Sequence, residues 1–274
     1  MGFYTDGLIA NEIKLDLIPL KEDYIFEKMK QKCRTKCERV DFMLEGGICT
    51  GEVTEIFGES GVGKTQICLQ MLLMCLLYPG DGGLYGSSIY IQACPVFPAQ
   101  RLHSLSVHLC PSQNIDENLL SLVHVKKIDN VDQIFLVLNQ VELMVINSHE
   151  GCRNTKVVVL YSIAYLFRHE HDNTYYGFME RKRMLQAVAR KIKEIASKYN
   201  LVFIVVNEAI DVFDNNGSRE ALSTYSSGGE IKASLGSSWE SLIRNKMFIS
   251  HQYDINTKSW YRELTVLKST NMSL

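Results

Sequence analysis

No Cys-x-x-Cys pair occurs in this 274-residue chain, although it carries eight cysteines, at 33, 37, 49, 68, 75, 94, 110 and 152. Cys33 and Cys37 have no matching second pair and no nearby histidine. Structural zinc ordinarily needs two closely spaced ligand pairs, so a zinc module is excluded. Several cysteines lie in apolar runs, which is the usage of buried thiols in a reducing compartment. A basic excess is also missing. The 29 Lys and Arg face 31 Asp and Glu, for a formal charge of -2. No global field draws such a chain to nucleic acid, and any DNA contact must be local or shared with a partner. Long apolar runs are lacking too. The longest, from Ile67 to Tyr78, is broken by Gln70 and falls short of the ~18 residues of a membrane span. The N-terminus MGFYTDGLIANEIKLD has neither the basic start nor the apolar stretch of a signal peptide. Asp6 breaks the myristoylation pattern. A soluble intracellular protein with no membrane partner is expected. Its 46% hydrophobic and 22% charged residues are the balance of a packed core and exclude low-complexity disorder. The length suits one α/β domain.

Residues 1–40 read as an N-terminal extension or linker, and residues 41–274 as the core. The stretch KEDYIFEKMKQKCRTKCER, from Lys21 to Arg39, has the mixed charge of a solvated helix or linker. Beyond it strands and helices alternate. Val53–Phe57, Ser88–Gln92, Leu122–Val125, Val157–Tyr161 and Leu201–Val206 read as strands. Lys64–Tyr78, Ala99–Leu109, Val131–Asn147 and Glu180–Ser197 read as helices, the first apolar all round and hence buried. Val157–Tyr161 is a continuous apolar run of the kind buried on both faces. Asp211–Ser238, rich in Gly, Ser, Asn and Glu, reads as a long mobile loop. Lys246–Ser250 and Tyr261–Leu267 close the chain as strands. This alternation predicts a mostly parallel twisted sheet with helices on both faces.

Gly58-Glu59-Ser60-Gly61-Val62-Gly63-Lys64-Thr65 fits the phosphate-binding loop GxxxxGK[ST] completely. It follows a predicted strand and opens a predicted helix, which is the context the motif requires. Glycines let the backbone wrap a phosphate and point N–H groups inward. The helix N-terminus adds partial positive charge. Lys64 brings a full charge to the β- and γ-phosphates, and Thr65 offers a hydroxyl to Mg²⁺. Residues 58–66, through Gln66, are the expected site for ATP. The hydrolytic machinery is thinner. A phosphate-loop ATPase usually ends a later strand with an Asp that retains Mg²⁺, but here that position is Tyr161. A carboxylate to orient water is wanted, and Gln92-Ala93-Cys94-Pro95 has none. Glu208 and Glu59 are the remaining candidates. Weak or absent hydrolysis is expected.

The run Gly46-Gly47-Ile48-Cys49-Thr50-Gly51-Glu52-Val53-Thr54-Glu55-Ile56-Phe57-Gly58, leading into Gly63-Lys64-Thr65-Gln66-Ile67-Cys68, closely resembles the ATPase core of the RecA/RadA recombinases. It looks most like the eukaryotic recombinase paralogues of the X-ray-repair cross-complementing type. Tyr90-Ile91, Phe97-Pro98, Arg101-Leu102, Ser162-Ile163-Ala164, Phe167-Arg168, Val206-Asn207-Glu208, Leu235-Gly236 and Trp239 extend the resemblance over roughly residues 41–270. Against the family pattern, Cys94 stands for the catalytic Glu, Tyr161 for the Walker B Asp and Glu208 for the sensor Gln. The first 45 residues hold no aromatic-x-x-Ala motif, the element that strings such recombinases into filaments.

The resemblance implies a RecA-like fold, ATP with Mg²⁺ as cofactors, a nuclear location and a role in homologous recombination and double-strand-break repair, meiosis included. It implies partnership with other recombinase paralogues. It also implies two loops facing single-stranded DNA, His169–Glu180 and Asp211–Ser238. Arg168, Tyr175, Tyr176, Arg181 and Arg183 are the candidate DNA contacts, the tyrosines as stacking platforms. The second loop carries Asp211, Asp214, Glu220 and Glu230 against Arg219 and Lys232. DNA binding by this chain alone should therefore be weak. An assembly factor with weak or absent hydrolysis is the leading expectation. An active strand-exchange ATPase and an unrelated kinase-like phosphate-loop enzyme are the alternatives.

Overall fold

The computed structural model describes residues 29–93, 96–109, 117–146, 153–168, 174–211 and 224–268. Its elements are β1 (Lys32–Cys33), α1 (Glu38–Met43), β2 (Ile48–Cys49), β3 (Glu52–Gly58), α2 (Lys64–Leu76), β4 (Ser87–Gln92), α3 (Ala99–Leu109), α4 (Glu117–Leu120), β5 (Val123–Lys127) and α5 (Asp132–Ile146). They continue as β6 (Thr155–Tyr161), α6 (Ile163–Phe167), α7 (Tyr175–Lys198), β7 (Val202–Val206), β8 (Ala209–Asp211), β9 (Thr224–Ser226), β10 (Gly229–Ala233), α8 (Gly236–Glu240), β11 (Asn245–Asp254) and β12 (Ser259–Lys268).

Seven strands form one sheet in the order β12-β11-β3-β7-β6-β4-β5. All neighbours pair in parallel except the β11–β12 hairpin. This is the mostly parallel RecA-like sheet that the strand–helix alternation predicts.

Alternate strand residues face opposite layers, as the two-residue period of a strand dictates. Val158 and Leu160 of β6, with Phe203 and Val205 of β7, pack with α5 and α7 through Ile134, Leu138, Val188 and Ile192. Val157, Val159, Val202 and Ile204 pack the other way, with α2 and α3 through Leu69, Leu72, Leu102 and Leu105. Each fully buried Leu or Ile contributes about 1.5–3 kcal/mol by leaving water, so the central strands are the firmest part of the fold. Helix α2 is buried from Cys68 to Leu76 apart from Gln70.

Four local readings change. Helix α2 ends at Leu76 rather than Tyr78, because the residue before Pro79 is driven to an extended conformation and Leu77 is already extended (ψ 161°). Helix α7 begins at Tyr175 rather than Glu180. The Thr174 hydroxyl accepts from the Gly177 N–H at 3.1 Å and supplies the helix start. Tyr175 and Tyr176 therefore sit on a first helical turn, not in a loop. Within Asp211–Ser238, the described residues form a small antiparallel sheet, β8-β10-β9, and helix α8. Ile231 of β10 anchors that sheet on Phe57 and Phe248.

Finally, Lys32–Cys33 is not solvated linker. It pairs with Ile48–Cys49, Cys33 is buried, and Gln31 exchanges hydrogen bonds with Thr50. The mixed charges around Cys33 mask this strand in the sequence.

Candidate functional site

The phosphate-loop motif occupies the turn between β3 and α2, at the carboxyl end of the parallel strands, where open α/β sheets bind ligands. Two glycines are required there by geometry. A Cβ on Gly58 would lie 2.2 Å from the Ile249 carbonyl oxygen of neighbouring β11. Gly63, at φ +113°, is the residue before α2 and holds a left-handed conformation that side chains disfavour. No side chain caps α2, so its N-terminal dipole is directed at the cleft.

That cleft has a volume of about 760 Å³ and is lined by Ser60, Gly61, Gly63, Lys64, Thr65 and Gln66 of the motif, and by Arg101, Tyr161, Arg168, Glu208 and Arg262. Val62 faces inward instead and is buried in the core. The Lys64 ammonium donates to the Gly58 and Glu59 carbonyl oxygens at 2.8 and 2.6 Å. Burial pulls its pKa below the usual lysine value, and the charge of Glu208 opposes that. Arg101 Nε donates to the Gln66 side chain at 3.0 Å.

Tyr161 ends β6 beside the motif. Its phenol lies 2.7 Å from the Thr65 hydroxyl oxygen, and its ring stacks on Tyr90 at 5.8 Å. Desolvation raises the phenol pKa above its ordinary value, so it stays a neutral hydroxyl. The two candidate carboxylates are both engaged. Glu59 accepts from Ser226 and Ser227 hydroxyls at 2.6 and 2.8 Å and is not among the cleft-lining residues. Glu208 does line the cleft but is ion-paired with Arg168. Cys94 lies outside the described residues.

The donor set does not fit a tightly held Mg²⁺. This hard cation takes oxygen ligands, carboxylates foremost. Here the Thr65 hydroxyl is shared with a phenol, and both nearby carboxylates have other partners.

Of the DNA candidates, Arg168 is drawn into the cleft by Glu208. Tyr175 and Tyr176 are strongly exposed, 74% and 84%, with ring centroids 6.1 Å apart. Arg183 is exposed on α7, whereas Arg181 is half-buried and its Nε has no hydrogen-bond partner among the described residues. Arg168 thus lines the cleft, and the exposed tyrosines are not among its lining residues. His169 and His171 lie outside the described residues.

A buried polar cluster escaped sequence reasoning. The Glu55 carboxylate in β3 accepts from Asn207 Nδ2 at 2.7 Å and Trp239 Nε1 at 3.1 Å. It also faces the Lys246 ammonium at 3.5 Å, both side chains being nearly inaccessible. Asn207 Oδ1 in turn accepts from the Glu208 N–H and the Ser234 hydroxyl, each at 2.8 Å. This links the cleft to the small sheet. The signal was present: Glu55 is a charge in the middle of a short strand whose neighbours Val53, Ile56 and Phe57 are apolar. Arg262 also went unremarked, because nothing in its local sequence marks it.

Among the described residues, no group of three or more His, Cys, Asp or Glu is placed to hold a metal ion. No described helix is long and apolar enough to cross a membrane.

Comparison with known proteins agrees with the fold and the motif. A family model described as Rad51 matches residues 28–245. The chain is 36% identical over 231 residues to the DNA repair protein XRCC3 homolog of Arabidopsis thaliana, covering 80% of this chain and 76% of that protein. It is 28% identical over 233 residues to DNA repair protein RAD51 homolog 2 of Homo sapiens, covering 79% of this chain and 59% of that one. With DNA repair protein RAD57 of Saccharomyces cerevisiae it shares 31% identity over 173 residues, 63% of this chain and 37% of the yeast protein. The chain therefore spans about three-quarters of the first of these relatives and little more than half of the second. The parallel sheet, the complete phosphate loop and a match over most of its length place this chain in the Rad51 family.

Proposed function

We propose that this chain is a nucleotide-binding recombinase paralogue that supports homologous recombination and double-strand-break repair in the nucleus as an assembly factor. The observation that carries this reading is the pairing, in one cleft, of a complete phosphate loop with disengaged hydrolytic groups. Lys64 and the N-terminus of α2 face the cleft, the Rad51 family binds ATP, generally with Mg²⁺, and residues 58–66 are the ATP site in this proposal. Tyr161 stands at the metal-retaining position, and Glu59 and Glu208 are held by Ser226, Ser227 and Arg168. A positioned base contributes about 10²–10⁴-fold to a hydrolytic rate, and among the described residues this cleft supplies none that is unpaired. ATP then acts as a ligand that stabilises the bound fold, by about 2.7 kcal/mol at a hundredfold excess over Kd.

The partners are other recombinase paralogues. Relatives of this chain carry the names XRCC3 homolog, RAD51 homolog 2 and RAD57. Single-stranded DNA is bound weakly by this chain alone and better within the complex, through exposed Tyr175, Tyr176 and Arg183. Two measurements test the reading. Purified chain with Mg²⁺-ATP, with and without single-stranded DNA, should show little turnover. A recombinase paralogue should be pulled down with ATP or with a non-hydrolysable analogue, and less without nucleotide. Brisk DNA-stimulated turnover, or long filaments of this chain alone on single-stranded DNA, would instead establish an active strand-exchange ATPase. A kinase-like enzyme is set aside by the family match.

A further inference from the structure

Within the cleft, the side that should hold a divalent cation offers no unpaired carboxylate among the described residues, whereas the side that should hold phosphate is rich in cations. On the cation side, the Thr65 hydroxyl is 2.7 Å from the Tyr161 phenol. Tyr161 is buried and stacked on Tyr90 of neighbouring β4 with an interplanar angle of 23°, so its ring is held in place by packing. A phenol carries no charge to attract Mg²⁺, and a cation entering there would have to displace a hydrogen bond and a packed ring. On the phosphate side lies a further cation. Arg262 reaches from β12 across the sheet edge to the phosphate loop, with its Nη1 and Cδ 3.9 and 4.0 Å from the place a Cβ on Gly63 would take. Among the described residues, no hydrogen bond or ion pair holds Arg262. With Lys64, Arg101 and Arg168 it lines a cleft in which Glu208 is the one carboxylate. A guanidinium is planar, permanently charged and carries five donors, a shape matched to phosphate oxygens.

Resting on the nucleotide-binding reading above, we propose that this chain holds a nucleoside triphosphate without a tightly bound divalent cation, Tyr161 closing the metal position and Arg262 supplying positive charge from the same chain. Tyr161 and Arg262 thus set the cofactor requirement of the site. Lys64 and the α2 N-terminus grip the phosphates in the ordinary way, and Arg262 covers the charge that Mg²⁺ neutralises elsewhere. The consequence is a subunit that stays nucleotide-loaded irrespective of the metal, which suits a structural use of ATP.

The experiment is calorimetric titration of the full chain with ATP, once in excess Mg²⁺ and once in EDTA. Wild type should bind with affinities within about threefold of each other. Arg262→Ala should weaken binding in EDTA by about tenfold or more, as loss of a charge-assisted contact does, while Arg262→Lys keeps most of it. Tyr161→Asp should create a metal requirement, with affinity at least about tenfold higher in Mg²⁺ than in EDTA. Circular dichroism of each variant confirms the fold. Wild-type binding seen only with Mg²⁺ overturns this inference and leaves the nucleotide reading standing. Undiminished EDTA affinity in Arg262→Ala overturns the role of Arg262. No binding in either buffer overturns the nucleotide reading and this inference with it.

Discussion

Removing Lys246 should be among the most damaging single changes in this protein. Its ammonium lies 3.5 Å from Glu55 Oε2, with side-chain exposures of 3% and 0%. The carboxylate is otherwise satisfied at Oε1 alone, by Asn207 and Trp239. Burial pushes the Glu55 carboxyl above its usual range, and Lys246 is the largest influence holding it down. Lys246→Met leaves a buried carboxylate without its counter-charge, a loss of about 3–5 kcal/mol. That is about a fifth or more of the roughly 5–15 kcal/mol that holds a domain folded. In urea, at about 2 kcal/mol per molar, the midpoint should fall by about 1.5–2.5 M.

The pH dependence has a definite sign. A carboxyl whose folded pKa is raised stabilises most below its ordinary value of 4.5, and that contribution is lost as pH rises through the folded value. Without Lys246 the folded value rises further, so the variant should lose more stability at pH 7 than at pH 5. Glu55→Gln combined with Lys246→Met should recover most of the loss, because a neutral acceptor still serves Asn207 and Trp239 and the carboxylate left over, Glu240 at 4.0 Å from the lysine, is partly exposed to solvent. A loss under about 1 kcal/mol at pH 7 for Lys246→Met, or a double variant no better than the single one, would refute the reasoning.

Lys64→Ala should weaken ATP binding by roughly 10- to 150-fold, the equivalent of a charge-assisted contact of about 1.5–3 kcal/mol; unchanged affinity in calorimetry would contradict the site. Glu142 accepts from Lys191, Lys198 and Tyr199 at 2.7, 2.9 and 2.8 Å, which holds its carboxyl down at about 2. A lowered pKa stabilises fully above 4.5, and that stability is lost as pH falls toward 2. Glu142→Gln should thus cost about 1 kcal/mol at pH 7, with the difference from wild type vanishing in thermal melts at the acid end. Replacing Tyr175 and Tyr176 together by Ala should weaken single-stranded DNA binding in the assembled complex by about 1–3 kcal/mol per stacked base, measured by fluorescence anisotropy. Cys94→Glu with Tyr161→Asp should raise ATP turnover above wild type, read by phosphate release.

What the sequence alone determined is the part governed by short-range rules. The phosphate loop is a contiguous motif whose chemistry depends on neighbours in the chain, so residues 58–65 were legible at once. The buried strands were legible because a two-sided sheet demands continuous apolar runs, as in Val157–Tyr161. Departures at Tyr161 and Glu208 could be read by position. Their meaning could not. That Tyr161 bonds Thr65, that Glu208 is ion-paired with Arg168, and that Glu59 serves Ser226 and Ser227 are contacts between residues 40 to 168 positions apart. Such contacts exist only once the parallel sheet brings its carboxyl ends together. The same holds for Arg262 over Gly63 and for Lys246 beside Glu55, each joined through the β11 register against β3. The strand at Lys32–Cys33 was hidden for a related reason: its partner, Ile48–Cys49, and not its own charged composition, makes it a strand. Local propensity decided the elements and the loop; the pairing of distant strand ends decided which charges meet there.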